Sequence, residues 1–293
     1  MTGLVAALDV GGTKLLGALL DDTGIRHRVQ RPTPGPPGAG DPGSAGLRAL
    51  VADLAGLADE PVLAVGSGWC EYVDGGRLTS REVLAWTEQP ADWLPRVLPG
   101  ARVVVESDVR CGLLAESLLG ATRGLDSAAF VSWGTGISSA LLINGRPWGG
   151  ARGRAIALGE LPVAPAGCRL EPYASGAGMA ARWSRNGAAG GQGGGARQVL
   201  LAAAADDPVA TRIATTAGAA VADGLNLLSR LVDPQRIVLG GGLGSADSVA
   251  RRAVADRWAA LGAPAELVWS TVGPDGPLLG AAVAAGWRPA GEG

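Results

Sequence analysis

Residues 4–20, LVAALDVGGTKLLGALL, constrain the fold more than any other stretch, because they read as two apolar strands joined by the polar turn Asp9-Val10-Gly11-Gly12-Thr13-Lys14. The residues ahead of Asp9 are small or branched and apolar, as in a buried strand. Gly11 and Gly12 allow a tight turn whose bare backbone can come close to an anion. Thr13 and Lys14 then offer a hydroxyl and a positive charge. Asp9, at the strand end, suits a water-mediated Mg²⁺ contact, since Mg²⁺ keeps its waters and takes few carboxylates. Taken alone, the segment suits an ordinary hairpin turn equally well. It is not a Walker A loop, because the GxxxxGK[ST] spacing is absent.

Composition excludes several classes. The 293 residues, 47% hydrophobic and 18% charged, suffice for one large or two medium domains with real cores. A net charge of −2 with scattered Lys and Arg leaves no nucleic-acid footprint. Cys70, Cys111 and Cys168 are widely spaced and odd in number, so neither a disulfide framework nor a CxxC metal site is expected, and they read as reduced and cytoplasmic. No basic leader region and no run of about 18 apolar residues is present, so the chain is expected neither to be secreted nor to span a membrane.

Along the chain, a third strand carrying the lone His27, read as a solvated surface residue, leads to a Pro/Gly-rich loop at residues 32–46. A helix is expected over residues 47–58 and a strand over 62–67. Residues 69–93 read as loop-rich, with a turn at Asp74-Gly75-Gly76. Residues 101–106 form a branched apolar strand ending in Glu106-Ser107-Asp108, followed by a helix over 109–119. Strand, acid and helix N-terminus in succession make a site geometry.

Residues 128–144 repeat the opening pattern: strand, a turn at Gly134-Thr135-Gly136, strand, then a polar turn at Asn144-Gly145. Two such hairpins imply two related halves, whose glycine turns could clamp a polyphosphate from both sides. Residues 149–177 read as loop, and GAAGGQGGG at 187–195 as a mobile surface loop. From Val199 to Leu231 the pattern is helical and stops at Asp233-Pro234. A buried strand at 236–239 runs into Gly240-Gly241-Gly242, which opens onto a helix over 247–260 and allows close approach of a nucleotide. A last strand near Leu267 precedes a helix over 277–285.

DVGGTK at 9–14, Asp108 after its strand, WGTGI at 133–137, LEPYASG at 170–176, IVLGGGLG at 237–244 and PLLGAAVAA at 277–285 stand in the order found in the ROK family of sugar kinases and repressors. The resemblance covers nearly the whole chain. It implies an α/β protein of the actin-like ATPase (ribonuclease H-like) fold: two α/β domains, each around a mixed five-stranded sheet, closing on ATP and sugar. The N-terminal domain is expected over residues 1–108 and the C-terminal one over 109–293, with the last helix, 277–287, packing back towards the first. Asp9, Gly11, Gly12, Thr13 and Lys14 match the first phosphate motif, Gly134, Thr135 and Gly136 the second, and Gly240, Gly241 and Gly242 the adenosine motif. Asp108 matches the catalytic base that takes the proton from the acceptor hydroxyl. Phosphoryl transfer rests chiefly on positioning and charge neutralisation, so one carboxylate, Mg²⁺ and two amide-lined loops form a sufficient apparatus. An acid there would also suit a helix N-cap.

The acceptor side departs from the pattern. Glucokinases of the family carry Asn before the catalytic Asp, where this chain has Ser107. Their GExGH motif has two possible registers. Direct reading of GELPV puts Glu160 in the Glu place and Val163 in the His place, whereas the gapless register, which we prefer, puts Ala157 and Glu160 there; either way the histidine is absent. The zinc motif CxCGxxGC is also absent, with Cys168 one residue off and Arg169 in its place, so no zinc is expected and Pro165 with a shortened loop replaces it. Glu171 matches the family's sugar-binding Glu, or is a surface acid. Pro-Asn-Leu before the Trp is replaced by Glu82-Val83-Leu84-Ala85-Trp86.

These losses gather on the acceptor side while the ATP-side motifs survive, so a changed acceptor is expected rather than plain glucose, because an unpaired buried polar group is strongly unfavourable. A hexose-like sugar or, as in actinobacterial relatives, a C7-cyclitol fits, with Ser107, Asp108, Glu160 and Glu171 facing it. A glucokinase or N-acetylhexosamine kinase is the alternative, as is a catalytically silent sugar-binding protein. A transcriptional regulator of the family would need a helix-turn-helix domain, for which the start of the first strand at Leu4 leaves no room. GGGLGS read as a Rossmann loop is weak so near the C-terminus. Dimers or tetramers are common in the family, so a homo-oligomer is expected.

Overall fold

The apolar residues of the opening hairpin alternate between two buried faces, and this sets the first unit. In the computed structural model, which describes residues 3–33, 42–84, 86–162, 165–186 and 195–291, β1 (Leu4–Val10) and β2 (Lys14–Asp21) pair antiparallel. Leu4, Ala6, Leu8 and Val10 join a core with Leu47, Leu50 and Leu54 of α1 (Pro42–Leu57). Val5 and Ala7 face the other way. β3 (Gly24–Pro32), β4 (Val62–Trp69), the small hairpin β5 (Val73–Asp74) and β6 (Arg77–Leu78), α2 (Pro90–Val97), β7 (Arg102–Ser107) and α3 (Asp108–Leu119) follow. The sheet order is β3-β2-β1-β4-β7, with β1, β4 and β7 parallel and β2 and β3 antiparallel.

The second unit repeats that order. β8 (Ser127–Trp133) and β9 (Ile137–Ile143) form its hairpin, β10 (Arg146–Trp148) follows, and the sheet reads β10-β9-β8-β11-β12. After β10 in sequence come α4 (Leu170–Ala174), α5 (Gly176–Arg185), α6 (Gly195–Ala204), α7 (Pro208–Val232), β11 (Arg236–Gly240), α8 (Gly241–Ser245), α9 (Val249–Leu261) and β12 (Glu266–Trp269), and then α10 (Gly276–Ala284), which belongs to the first unit. Val131, Trp133, Ile237 and Leu239 of the sheet meet Ala217, Val221 and Leu225 of α7 in the core. Two mixed five-stranded sheets of matching order are what the repeated hairpin implied.

The chain divides into one unit of Met1–Arg123, Pro147–Ile156 and Asp275–Gly293 and another of Gly124–Arg146 and Ala157–Pro274. The expected boundary at 108/109 therefore moves to 123/124, because α3 packs with β4 and α10 around the second face of the first sheet. α10 lies tight there: a Cβ on Gly66 would sit 1.8 Å from the Ala281 carbonyl oxygen, and one on Gly280 1.6 Å from that of Cys111.

Other differences have local causes. Within the stretch expected to be loop, α2 forms, started by Pro90 and holding Trp93 and Leu94 buried; eight residues are too short to show a clear period. α5, also unforeseen, is capped by Ser175, whose Oγ accepts from the Gly178 N–H at 3.1 Å. The single helix expected over 199–231 breaks into α6 and α7, because Asp207 caps the second by accepting from the Val209 and Ala210 N–H groups and Pro208 starts it. The helix expected over 247–260 is preceded by the separate short α8. α1 begins inside the expected loop at 32–46, and residues 34–41, Ala85, Val163 and most of the glycine-rich loop, 187–194, lie outside the described residues. Among the described residues no helix is long and apolar enough to cross a membrane.

Candidate functional site

In the first unit, β1, β4 and β7 end side by side: Asp9 is in register with Gly68, and Trp69 with Ser107. Ligands of open α/β sheets sit at the carboxyl ends of parallel strands. Gly68 lets the start of α3 come close, since a Cβ there would lie 3.4 Å from Asp108 Cα and 3.1 Å from Cys111 Sγ. The turn after Asp9 is held at both ends. The Gly11 N–H donates to the Lys14 carbonyl at 3.1 Å, while Thr33 donates its hydroxyl to the Gly11 carbonyl at 2.6 Å and its N–H to that of Thr13 at 3.1 Å. Gly12, Thr13 and Lys14 are left exposed.

Two carboxyls share this end of the sheet. Burial pushes Asp108 up to about 7, with the Asp9 and Glu71 charges adding and the Val109 N–H and Arg110 opposing. Burial likewise pushes Asp9 up to about 6, opposed by Lys14 and Arg28 and reinforced by Asp275. Arg28 and Asp275 are themselves joined by a bidentate pair at 2.7 Å. A carboxylate that titrates near neutrality at a strand end is suited to take a proton from a hydroxyl. Cys70 and Cys111 flank it, but burial pushes both thiols up, which removes them as nucleophiles.

Ser107, expected at the acceptor, is fully buried, and its hydroxyl caps α3 by accepting from the Arg110 N–H at 3.4 Å. Asp108 is the first residue of that helix, with its Oδ1 accepting from the Val109 N–H at 2.6 Å. Two residues that sequence reasoning passed over complete the surroundings. Glu71, 3% exposed, accepts from the N–H groups of Glu82, Val83 and Leu84 at 2.9, 2.8 and 2.7 Å and also from the Ser80 hydroxyl. It thereby fixes the segment that replaces Pro-Asn-Leu and sets Val83 against Gly12. Arg110, also buried, bonds Glu106 and the carbonyls of Val73 and Gly153. An acid two residues after the apolar end of β4, and Glu106 and Arg110 four residues apart, were the available signals.

In the second unit the turn Gly134-Thr135-Gly136 meets the start of α5: the Gly176 and Ala177 N–H groups donate to the Gly134 and Thr135 carbonyls at 2.8 and 3.2 Å. Gly241 has φ +77°, and a Cβ there would lie 2.5 Å from the Trp133 carbonyl oxygen, so the segment after β11 can reach this turn only as glycine. Gly134, Thr135 and Gly242 together line a cleft of about 910 Å³ whose walls are largely apolar, from Leu200, Leu201, Leu243 and Val249. An open cleft with a glycine turn at one end and aliphatic walls suits a nucleotide.

Glu171 Oε2 accepts from the Ile137 N–H at 2.7 Å and lies where a Cβ on Gly136 would meet it, so this acid braces the second turn. Glu160 is exposed at the end of a short 3-10 turn, Leu158–Glu160, where Gly159 packs against Ile137 and Glu171. Cys168 is exposed beside a 3-10 turn at Pro165–Gly167. The first unit therefore gathers Asp9, Gly11, Gly12, Thr13, Lys14, Ser107 and Asp108, and the second gathers the remaining candidates.

Known proteins carry the same pattern. The ROK family profile matches residues 5–286. The chain is 33% identical over 286 residues to the bifunctional enzyme NanE/NanK of Brucella suis, covering 95% of this chain but 52% of that protein, so it spans about half the length of this relative. It is 27% identical over 274 residues to the glucokinase of Streptomyces coelicolor, covering 82% of each. The ROK family glucokinase from Streptomyces griseus, solved with glucose and AMPPNP, superposes with a TM-score of 0.75 at 26% identity, covering 97% of this chain and 99% of that one. With the match running through both hairpins, both sheets and the closing helix, the chain belongs to the ROK family.

Proposed function

We propose that this protein is an ATP- and Mg²⁺-dependent kinase that transfers the γ-phosphate to a hydroxyl of a hexose-like sugar or C7-cyclitol, with plain glucose a poor acceptor. The observation that carries the reading is Asp108, a partly buried carboxyl at the carboxyl end of three parallel strands, pushed up to about 7 beside a glycine turn. The named relatives, a NanE/NanK and a glucokinase, support a sugar kinase.

Asp108 accepts the proton of the acceptor hydroxyl as its oxygen bonds to the γ-phosphorus and the bond to ADP breaks. Gly11, Gly12, Thr13 and Lys14 hold phosphate in the first unit, and Gly134, Thr135 and Gly136 in the second, with Gly240, Gly241 and Gly242 against the adenosine. Asp9 fits Mg²⁺ held through water, since its carboxyl is pushed up by burial with only Lys14 and Arg28 opposing, a setting that a divalent cation would relieve. The ion would neutralise phosphate charge.

The use made of the polar side chains supports a changed acceptor. Ser107 caps a helix, Glu71 holds the 82–84 segment and Glu171 braces the second turn, so polar groups that would read glucose hydroxyls are engaged or absent. Glu160, exposed at the end of its 3-10 turn, and Asp108 are the candidates offered to the acceptor. An N-acetylhexosamine is the second reading, supported by 26% identity over 264 residues to the N-acetylgalactosamine kinase AgaK of Shewanella sp. (strain ANA-3).

Acceptor-dependent ADP release with Mg²⁺-ATP is measured across glucose, mannose, N-acetylated hexosamines and C7-cyclitols, with Asp108→Asn as control. Turnover on a cyclitol or N-acetylhexosamine above that on glucose, lost in Asp108→Asn, is expected. Silence on every acceptor with sugar binding intact makes the protein a silent binder and overturns the proposal.

A further inference from the structure

A second cavity in the second unit, of about 590 Å³, lies away from the glycine turns and gathers arginines from three segments: Arg169 ahead of α4, Arg182 and Arg185 on α5, and Arg212 on α7. Several guanidinium groups elsewhere in this chain have carboxylate partners, as Arg28 with Asp275, Arg31 with Asp53, Arg77 with Asp92 and Arg257 with Asp223. Among the described residues, no ion pair joins any of the four cavity arginines to a carboxylate. The chain as a whole carries a net charge of −2, so this concentration of positive charge is local.

The cavity is also built to hold its charges in place. The Arg182 guanidinium stacks on the Tyr173 ring with its carbon 4.1 Å from the ring centre. Its NH2 donates to the Thr216 hydroxyl at 2.6 Å and its NH1 to the Tyr173 carbonyl at 3.3 Å. Stacking and two hydrogen bonds fix the plane of the fork without neutralising it. Burial holds Arg182 below its ordinary value, and the Arg185 and Arg212 charges push it further the same way, against Tyr173. Like charges drawn into one concavity repel, and an anion seated among them relieves that repulsion with charge-assisted hydrogen bonds. Pro172, Tyr173 and Ile213 line the same cavity and offer apolar surface to the body of such a ligand.

We propose that this cavity is a binding site for a small molecule bearing a phosphomonoester, with the arginine forks on the phosphate and the Pro172–Tyr173 wall against its carbon skeleton. The site is separate from the glycine turns and does not depend on which acceptor the kinase uses, or on whether it turns over. Cys168 lines the cavity and is exposed, whereas Cys111 is buried and Cys70 half-buried, so Cys168 reports occupancy directly.

The test times alkylation of Cys168 by iodoacetamide in the full chain, read by peptide mass spectrometry, against increasing glucose 6-phosphate, inorganic phosphate or glucose, at ionic strength matched with chloride. Glucose 6-phosphate is expected to slow the reaction saturably and glucose to leave it unchanged. Arg185→Gln/Arg212→Gln, changing two exposed side chains, is expected to raise the half-protecting concentration by roughly tenfold or more, since charge-assisted bonds are strong. Its melting temperature checks that the fold is kept. Protection by inorganic phosphate at the same concentration supports the site and assigns recognition to the phosphate alone; protection by the sugar phosphate only supports it and assigns part of the recognition to the apolar wall. No protection beyond chloride, or equal protection in the double variant, overturns the proposal.

Discussion

Asp108→Asn is expected to make the protein more stable at alkaline pH while abolishing its turnover. The unfolded carboxyl titrates near 3.8 and the folded one at about 7. Between those values the folded state keeps a proton that the unfolded state has released, so stability is highest below the window, falls as pH rises through it, and stays low above it. Three units at about 1.4 kcal/mol each give an upper bound of about 4 kcal/mol. Asp9, itself pushed up to about 6, titrates with Asp108 as a coupled pair and keeps its own cost, so about 2–4 kcal/mol should return in the single variant. Asn preserves the shape and can still accept from the Val109 N–H. Urea unfolding of both proteins, without ligand, from pH 4 to pH 8.5 reads the difference. Near pH 4 the two curves should meet, and above pH 7 the variant should be the more stable. A wild-type stability that is flat or rises from pH 5 to pH 8, or a variant weaker than wild type at pH 8, would refute the reasoning.

The same ionisation should govern the rate: kcat/KM falls below a midpoint near 7 as Asp108 takes up its proton, and a pH profile with no inflection between about 5.5 and 8 would remove Asp108 as the base. Glu71→Gln removes a charge that raises Asp108, so that midpoint should move to lower pH. It also leaves the Glu82 N–H facing an amide donor, at about 2–3 kcal/mol in unfolding free energy; an unchanged midpoint and stability would mean that Glu71 is a bystander. Gly280→Ala forces a methyl against the Cys111 carbonyl oxygen, which is backbone and cannot swing aside, and should cost at least about 3 kcal/mol. Gly56→Ala, with open space inside α1, should instead gain roughly 0.5–1 kcal/mol, and similar melting temperatures for the two variants would contradict this packing.

Much of the fold was legible because its signals are local. The continuous apolar run ahead of Asp9 marks β1 as a strand buried on both faces, and its echo at 128–144 foretells a related second half. Helices were missed where few residues repeat: α2 has eight, and the glycines and the prolines before it hide α5. The break between α6 and α7 was legible in Asp207-Pro208 but was outweighed by the long apolar period around it. The glycine turns and the place of Asp108 between a strand and a helix were legible in the sequence, whereas the role of Glu71 was not, since it holds N–H groups eleven to thirteen residues away.

What the sequence by itself determined is the kind of protein: buried strands written as short continuous apolar runs, turns written as glycines, and an acid placed between a strand and a helix. Residue type alone sets these, because each depends on neighbours within a few positions. Only the tertiary structure decided how the polar side chains are used. It made Ser107 a helix cap, turned Glu171 towards the Ile137 N–H, closed Glu71 on the 82–84 segment and left four arginines sharing a cavity that, among the described residues, no carboxylate lines. It also brought Asp9 near enough to Asp108 for its charge to push that carboxyl further up while burial raises both, and burial of this kind is a property of the assembled fold that no single stretch of chain contains.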